Sequence, residues 1–371
     1  MIWRRITTLD GIPAGRARER WEYDGPQGTV GFDIDVTIGK ALDVVALKRT
    51  DLAEIQNYAR FLADTAQQLF HSGRKLNRVT TCPCCGVATD NTGDAARIFG
   101  VAYARCDRCG HAFVREQPTP EALQTVFKES EGHSATYIDR ASIEIRQAQV
   151  IRPKIAWLGD IFHRLRGRNP MSALDVGAGG GHFVAGLREA GIAAEGIEIS
   201  AASRQFASEA FGIALSERDF LADAEEGSPV ELVTFWGLLE YVPQPRTLLA
   251  KARRRICPNN GLLVVEVPRL NCLSTTVQTQ TPDTVARHLD PTSHVNTFTD
   301  SSLATALVES GFKPVAAWYF GMDIYELFVQ MALRLGDPAV VDRCADLIPA
   351  LQASLDQGRQ CDDIIVAAVP V

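Results

Sequence analysis

The chain has 371 residues, 46% of them apolar and 22% charged, with a formal net charge of −7 and a pI near 5.6. That length suits two or three domains with sizeable cores, and the acidic balance disfavours a phosphate backbone as the main partner. The N-terminal stretch MIWRRITTLDGIPAGRARER lacks the apolar core of a signal peptide, and no apolar run is long enough to span a bilayer. The expectation is a cytoplasmic protein without membrane association.

Residues 1–80 form a first α+β segment. Residues 1–49 of it read as short strands and turns (GTVGFDIDVTIG, then ALDVVALK) punctuated by glycine. From Asp51, a suitable N-cap, to about Gly73 the period is helical, with Leu52, Ile55, Tyr58, Ala59, Leu62, Ala66 and Leu69 on one face. A cysteine-rich module occupies 81–115. Residues 116–170 make a helical linker or lid: a helix over about 121–129, a looser stretch containing His133 and Tyr137, and a long amphipathic helix over roughly 141–165. Asn169-Pro170 ends that element. A position-based expectation is that His133 and Tyr137 close over a bound acceptor.

From 171 to 371 strand and helix signals alternate. Strands are predicted at 172–176, 193–198, 230–236, 261–267 and 313–320, with a last one in DDIIVAAVPV. Helices are predicted near 181–190, 201–212, 245–256 and 300–311, with a mostly helical insertion over about 322–360. Short apolar strands alternating with helices predict a doubly wound α/β sheet with largely parallel pairing.

Five of the nine cysteines lie between Cys82 and Cys109. In Cys82-Pro-Cys84-Cys85-Gly86 and Cys106-Asp-Arg-Cys109-Gly110, 20 residues lie between Cys85 and Cys106, the spacing of a four-thiolate zinc ribbon. Each C-x-x-C turn aims two sulfurs at one centre, and the following glycine tolerates the left-handed backbone that frees amides for those sulfurs. Cys82, Cys85, Cys106 and Cys109 are therefore the expected ligands of a structural Zn2+, with Cys84 spare. The competing readings are an iron–sulfur or redox site, or no metal. Residues 71–115 carry seven Lys/Arg against three Asp, an excess that a solvated face explains as well as nucleic acid does. Cys257, Cys272, Cys344 and Cys361 read as small buried apolar residues.

LDVGAGGGHF, Leu174 to Phe183, falls where a strand gives way to a helix, the position at which a glycine turn brings backbone amides close to a ligand. A dinucleotide fingerprint beginning at Gly177 would need a small residue at 182, where this chain has His182. The loop fits G-x-G-x-G instead (Gly177, Gly179, Gly181), preceded by Asp175. Downstream, Glu198 closes the next strand in GIEIS, where a carboxylate can accept two ribose hydroxyls. Asp219-Phe220 follows, placed to edge an adenine. Trp236 and Gly237 end another strand, with Glu240-Tyr241 just beyond. Ligands bind beyond such strand ends, so these segments converge on one cleft.

With those residues in view, the chain from about 145 onward resembles the class I S-adenosylmethionine-dependent methyltransferases. With the ribbon included, residues 82–371 resemble the bacterial zinc-binding methyltransferases of sugar, lipopolysaccharide and natural-product pathways. The resemblance runs through C-P-x-C-G, R-C-x-x-C-G-H-A-F, P-T-P-E-A-L, LDVGAGGG, GIEIS, LLEYVPQP, LLVVEVP and HVNTFTDSSL. It implies a seven-stranded methyltransferase sheet and S-adenosylmethionine as cofactor. It further implies that Asp175, Gly177, Gly179 and Gly181 shape the methionine end, Glu198 holds the ribose, and Asp219 with Phe220 hold the adenine. Glu240 matches the glutamate of a Glu-His pair in the sugar-methylating branch. Tyr241 replaces the histidine, which weakens a C-methylation assignment.

The sulfonium methyl is already activated, so the protein must align an acceptor and remove its proton. Glu240, Tyr241 and His294 are the expected candidates, His294 because the connection after LLVVEV commonly faces the acceptor; His182 and Tyr137 are lesser ones. The expected partner is a small-molecule acceptor, a sugar or nucleotide-sugar first. RNA or protein methylation, a catalytically degenerate scaffold and a dinucleotide oxidoreductase are the competing readings. Oligomeric state is left open.

Overall fold

Three N-terminal strands, β1 (Trp3–Thr8), β2 (Arg16–Gly25) and β3 (Gly28–Ile38), form an antiparallel meander. In this computed structural model the described residues are 3–8, 15–25, 28–48, 51–73, 75–89, 92–129, 138–222, 227–282 and 288–371. His133 and Tyr137 lie outside them. Alternation sets the inward face of the meander, with Ala17, Trp21 and Tyr23 on β2 and Phe32, Ile34, Val36 and Ile38 on β3 all buried. The run ALDVVALK, expected to be extended, instead contains a helix at Val44–Lys48. Asp43 initiates it, its side chain accepting from the Ala46 amide at 3.0 Å. A short apolar run does not by itself distinguish helix from strand, and here the cap decides. The helix Leu52–Phe70 starts at Asp51, whose carboxylate accepts from the amides of Ala53 and Glu54, and it buries Leu62, Ala66 and Leu69.

Next come β4 (Asn77–Arg78), β5 (Asp94–Ile98), β6 (Val101–Arg105), β7 (Ala112–Val114) and β8 (Glu116–Gln117). They lead through a helix at Pro120–Glu129 to the helical stretch Ile143–Arg166, whose residues Gln147–Ile151 take a π-helical turn. The remaining strands are β9 (Ser172–Val176), β10 (Ala193–Ile197), β11 (Leu232–Trp236), β12 (Leu262–Pro268), β13 (Asn296–Thr297), β14 (Phe312–Phe320) and β15 (Asp363–Pro370). The helices between them lie at His182–Glu189, Ala201–Phe211, Pro245–Arg255, Leu273–Thr279 and Asp300–Glu309. The 322–360 region holds helices at Asp323–Leu335, Ala339–Arg343 and Ile348–Gln357.

Among the described residues the main sheet has nine strands, in the order β1-β2-β3-β14-β15-β12-β11-β9-β10. This is a mixed α/β sheet, with nine strands where the resemblance implied seven. Six come from 172–370 and the N-terminal meander adds three, because β3 pairs in parallel with β14 (Ala316 opposite Asp35 through Tyr319 opposite Ile38). At the far edge the stretch after Phe211 contributes an isolated bridge, Ile197 to Ser216, rather than a full strand. Pairing is parallel from β12 through β11 and β9 to β10, while β15 runs antiparallel to both neighbours.

A buried ionic network fastens the meander to the rest. Arg269 donates from Nε to Asp300 at 2.8 Å and from Nη1 to the carbonyls of Arg359 and Cys361. Arg5 on β1 donates to the same aspartate at 2.9 Å, and Arg359 donates to the buried Glu19 at 2.8 Å. Removing one partner strands the others without water. Arg269→Ala is accordingly expected to cost about 3–5 kcal/mol of stability, read as a lowered urea midpoint.

Candidate active site and metal centre

The two cysteine knuckles fold alike. Gly86 and Gly110 take positive φ (67° and 76°), and their amides donate to the carbonyls of Cys82 and Cys106 at 2.9 and 2.8 Å. Cys82, Cys85, Cys106 and Cys109 are all buried, with sulfurs within 4.8 Å of one another. Four converging thiols and no open position are the donor set of a structural zinc site, and Zn2+ is the ion this cluster fits. Cys84 is buried too but stands outside the cluster.

The cysteine module is knitted to the C-terminal half. Strand β13 closes the order β13-β7-β6-β5. His111 Nε2 donates to the Asn296 side-chain oxygen at 2.8 Å; the amide nitrogen of Asn296 donates to the Val242 carbonyl at 2.6 Å. The Asn296 backbone amide donates to the Glu240 carbonyl at 3.0 Å. One asparagine thus couples the zinc module to the loop after β11.

A cavity of about 370 Å3 opens at the carboxyl ends of β9, β10 and β11. Asp175, Gly177, Gly179, Glu198, Asp219, Phe220, Trp236 and Tyr241 all line it. Both Glu198 oxygens are held by backbone amides, Gly179 at 2.8 Å and Ser200 at 2.7 Å, which leaves lone pairs facing the cavity. Burial raises the Glu198 pKa, and those two amides work against the rise. Asp175 is buried, accepts from the Thr234 hydroxyl at 2.6 Å, and has its pKa raised to about 7 by burial. Asp219 caps its own turn, accepting from the Leu221 amide at 2.9 Å, and Phe220 meets Phe235 edge-on at 6.3 Å.

Other expected residues sit elsewhere. Gly181 is not among the cavity-lining residues: a side chain there would meet Ala207 Cβ at 2.8 Å, so it serves the close approach of two helices. Glu240 is buried outside the lining, with its Oε1 against Gly237 and no hydrogen-bond partner for Oε2 among the described residues. Burial, with Asp363 and Glu266 nearby, pushes its pKa well above the carboxylate range. His294 stands edge-on behind Tyr241 at 4.8 Å, its Nδ1 within 3.2 Å of the His288 carbonyl.

Residues not singled out from sequence also line the cavity, namely Arg146, Lys154, Leu123 and Ser203. Lys154 is paired with Glu266 at the end of β12, its ammonium 4.3 Å from the Trp236 ring. Basic residues on an amphipathic helix read as solvent-facing, so only the packing of that helix across the strand ends could have found them.

A glycine turn between strand and helix, with an acidic side chain closing the adjacent strand, defines a nucleoside-binding doubly wound domain. Residues 146–317 match the family model described as a methyltransferase domain. This part of the chain is therefore similar to methyltransferase domains. No curated protein matches the chain. Among solved structures it is similar to the magnesium protoporphyrin IX methyltransferase of Synechocystis with bound S-adenosylhomocysteine. That pair is 12% identical, covering 68% of this chain and 99% of the other at a TM-score of 0.46. A plantazolicin methyltransferase is 16% identical over 67% and 94% of the two chains, TM-score 0.44. The Burkholderia thailandensis 1,6-didemethyltoxoflavin-N1-methyltransferase is 16% identical over 73% and 96%, TM-score 0.43.

Proposed function

We propose that the protein transfers the S-adenosylmethionine methyl group to an oxygen or carbon of a small-molecule acceptor: a sugar, nucleotide-sugar or natural-product intermediate. The observation that carries this reading is Glu198, a carboxylate locked by two amides at the edge of a cavity beside the glycine turn. In this reading Glu198 accepts the ribose hydroxyls, Asp219 and Phe220 border the adenine, and Asp175 faces the ammonium of the methionine moiety. Of the three leading base candidates, Tyr241 is the one on the cavity wall, with His294 behind it; His182, a lesser candidate, also lines the cavity. Glu240, buried off the cavity wall, positions the loop rather than removing a proton. The net charge of −7 supports a small acceptor over RNA.

The test supplies methyl-labelled S-adenosylmethionine together with a nucleotide-sugar panel, bulk tRNA and a protein extract. Label in the small-molecule fraction is expected. Label confined to RNA or protein would contradict the proposal and favour the ribbon as a docking module.

Asp175 adds a pH dependence. A carboxyl raised to about 7 is ionised only above that value, so affinity for the cationic donor should fall as pH drops through about 7. The limit is about tenfold per pH unit, and Asp175→Asn should flatten the curve in calorimetric titrations between pH 6 and 8. Stability runs the other way: a raised carboxyl pKa contributes most below the unfolded value near 4, and the contribution is lost as pH rises to about 7.

A further inference from the structure

Lys40 reaches the strand ends from the N-terminal meander. Its neighbour Gly39 is fixed on both sides: the Gly39 amide donates to the Tyr319 carbonyl at 2.7 Å, and Trp318 Nε1 donates to the Gly39 carbonyl at 2.8 Å. With the backbone pinned to the end of β14, the half-buried Lys40 ammonium lies 4.6 Å from the Phe320 ring and 5.8 Å from the Trp318 ring. It makes no hydrogen bond or ion pair among the described residues.

The charges around it come from three other elements. Lys154 and Arg146, on the helical stretch over the strand ends, both line the donor cavity. Glu266 lies near the end of β12 and Asp363 begins β15, on neighbouring strands of the sheet. Lys154 is already matched by Glu266, and burial pushes the pKa of nearby Glu240 upward. Three basic residues therefore share these strand ends with Glu266 and Asp363, and Lys40 makes no salt bridge among the described residues.

We propose that Lys40 is a specificity-determining residue of the acceptor site, holding a phosphate or carboxylate group of the acceptor beside the donor cavity. The proposal rests on the methyltransferase reading above. The strand order places it: donor contacts cluster at β9, β10 and β11, so an acceptor in line with the methyl group extends over β12, β15 and β14 toward β3. An anion there relieves the mutual repulsion of these basic residues at a half-buried position. Burial first, then Lys154, lower the Lys40 pKa to about 7; Arg146 lowers it further, while Glu266 and Asp363 raise it. Binding an anion must pull that value up again, so capture is coupled to proton uptake.

The experiment uses full-length, zinc-loaded protein saturated with S-adenosylhomocysteine and titrated with inorganic pyrophosphate at pH 8 in two buffers of different ionisation enthalpy. Wild type should bind with uptake of close to one proton. Lys40→Met should bind about tenfold to a hundredfold more weakly, while retaining wild-type affinity for S-adenosylhomocysteine. Lys40→Arg, permanently charged, should keep pyrophosphate affinity and lose the proton uptake. Equal pyrophosphate affinity in wild type and Lys40→Met, or binding by wild type without proton uptake, overturns the assignment. So does wild type that takes up S-adenosylhomocysteine yet ignores pyrophosphate. Failure of S-adenosylhomocysteine itself to bind wild type would instead overturn the donor-pocket reading.

Discussion

Cys106→Ser is expected to abolish zinc binding, unfold the ribbon and disable the donor pocket together. Structural zinc contributes roughly 10–16 kcal/mol in small modules, as much as the whole stability of a typical domain. The ribbon core around Ile98, Tyr103 and Phe113 is small and cannot replace that. Its loss travels through named contacts. Strand β7 pairs with β13, Thr299 donates to the Cys109 carbonyl at 3.2 Å, and His111 holds Asn296. Asn296 in turn fixes the carbonyls of Glu240 and Val242, on the loop that supplies Leu238, Tyr241 and Val242 to the cavity. Metal analysis and thermal unfolding with and without chelator check this. Wild type should hold stoichiometric zinc and melt cooperatively; the variant should hold none and lose that transition. A metal-free variant that melts like wild type would mean the cysteines are incidental.

The second large effect is at Glu198. Glu198→Ala should weaken S-adenosylmethionine binding by about a hundredfold or more, since two hydrogen bonds to a charged carboxylate are lost, each worth about 1.5–3 kcal/mol. It also frees the amides of Gly179 and Ser200, loosening the glycine turn. Zinc content and the ribbon's protection from proteolysis should be unchanged, which separates this effect from misfolding. Comparable donor affinity in wild type and Glu198→Ala would remove the ribose assignment.

How far these features are legible in sequence depends on how local they are. The cysteine knuckles, the Asp51 cap and the LDVGAGGG turn are written within a few residues, and each folds as its spacing predicts. The β9–β12 strands and their helices are equally local, because a βαβ unit carries its own period change. Pairing of β3 with β14 is not local. It joins Asp35 to Ala316 across most of the chain, and nothing in either segment specifies the partner. The sheet therefore has two more strands than expected. Lys40, Arg146 and Lys154 were invisible for the same reason: the chain brings them together only once the N-terminal meander and the long helix dock at one sheet edge. Glu240 is a subtler case. Its place after β11 is legible, but the direction of its side chain depends on a turn of the loop set by Gly237 at φ 63° and by Asn296.

The most direct measurement is calorimetric titration of the purified full-length protein with S-adenosylmethionine and, separately, with NAD, with zinc assayed on the same sample. Binding of S-adenosylmethionine at about micromolar affinity, none of NAD and one zinc per chain are predicted. Folded, zinc-loaded protein that ignores S-adenosylmethionine would contradict the account and point to a binding scaffold that has lost its donor site.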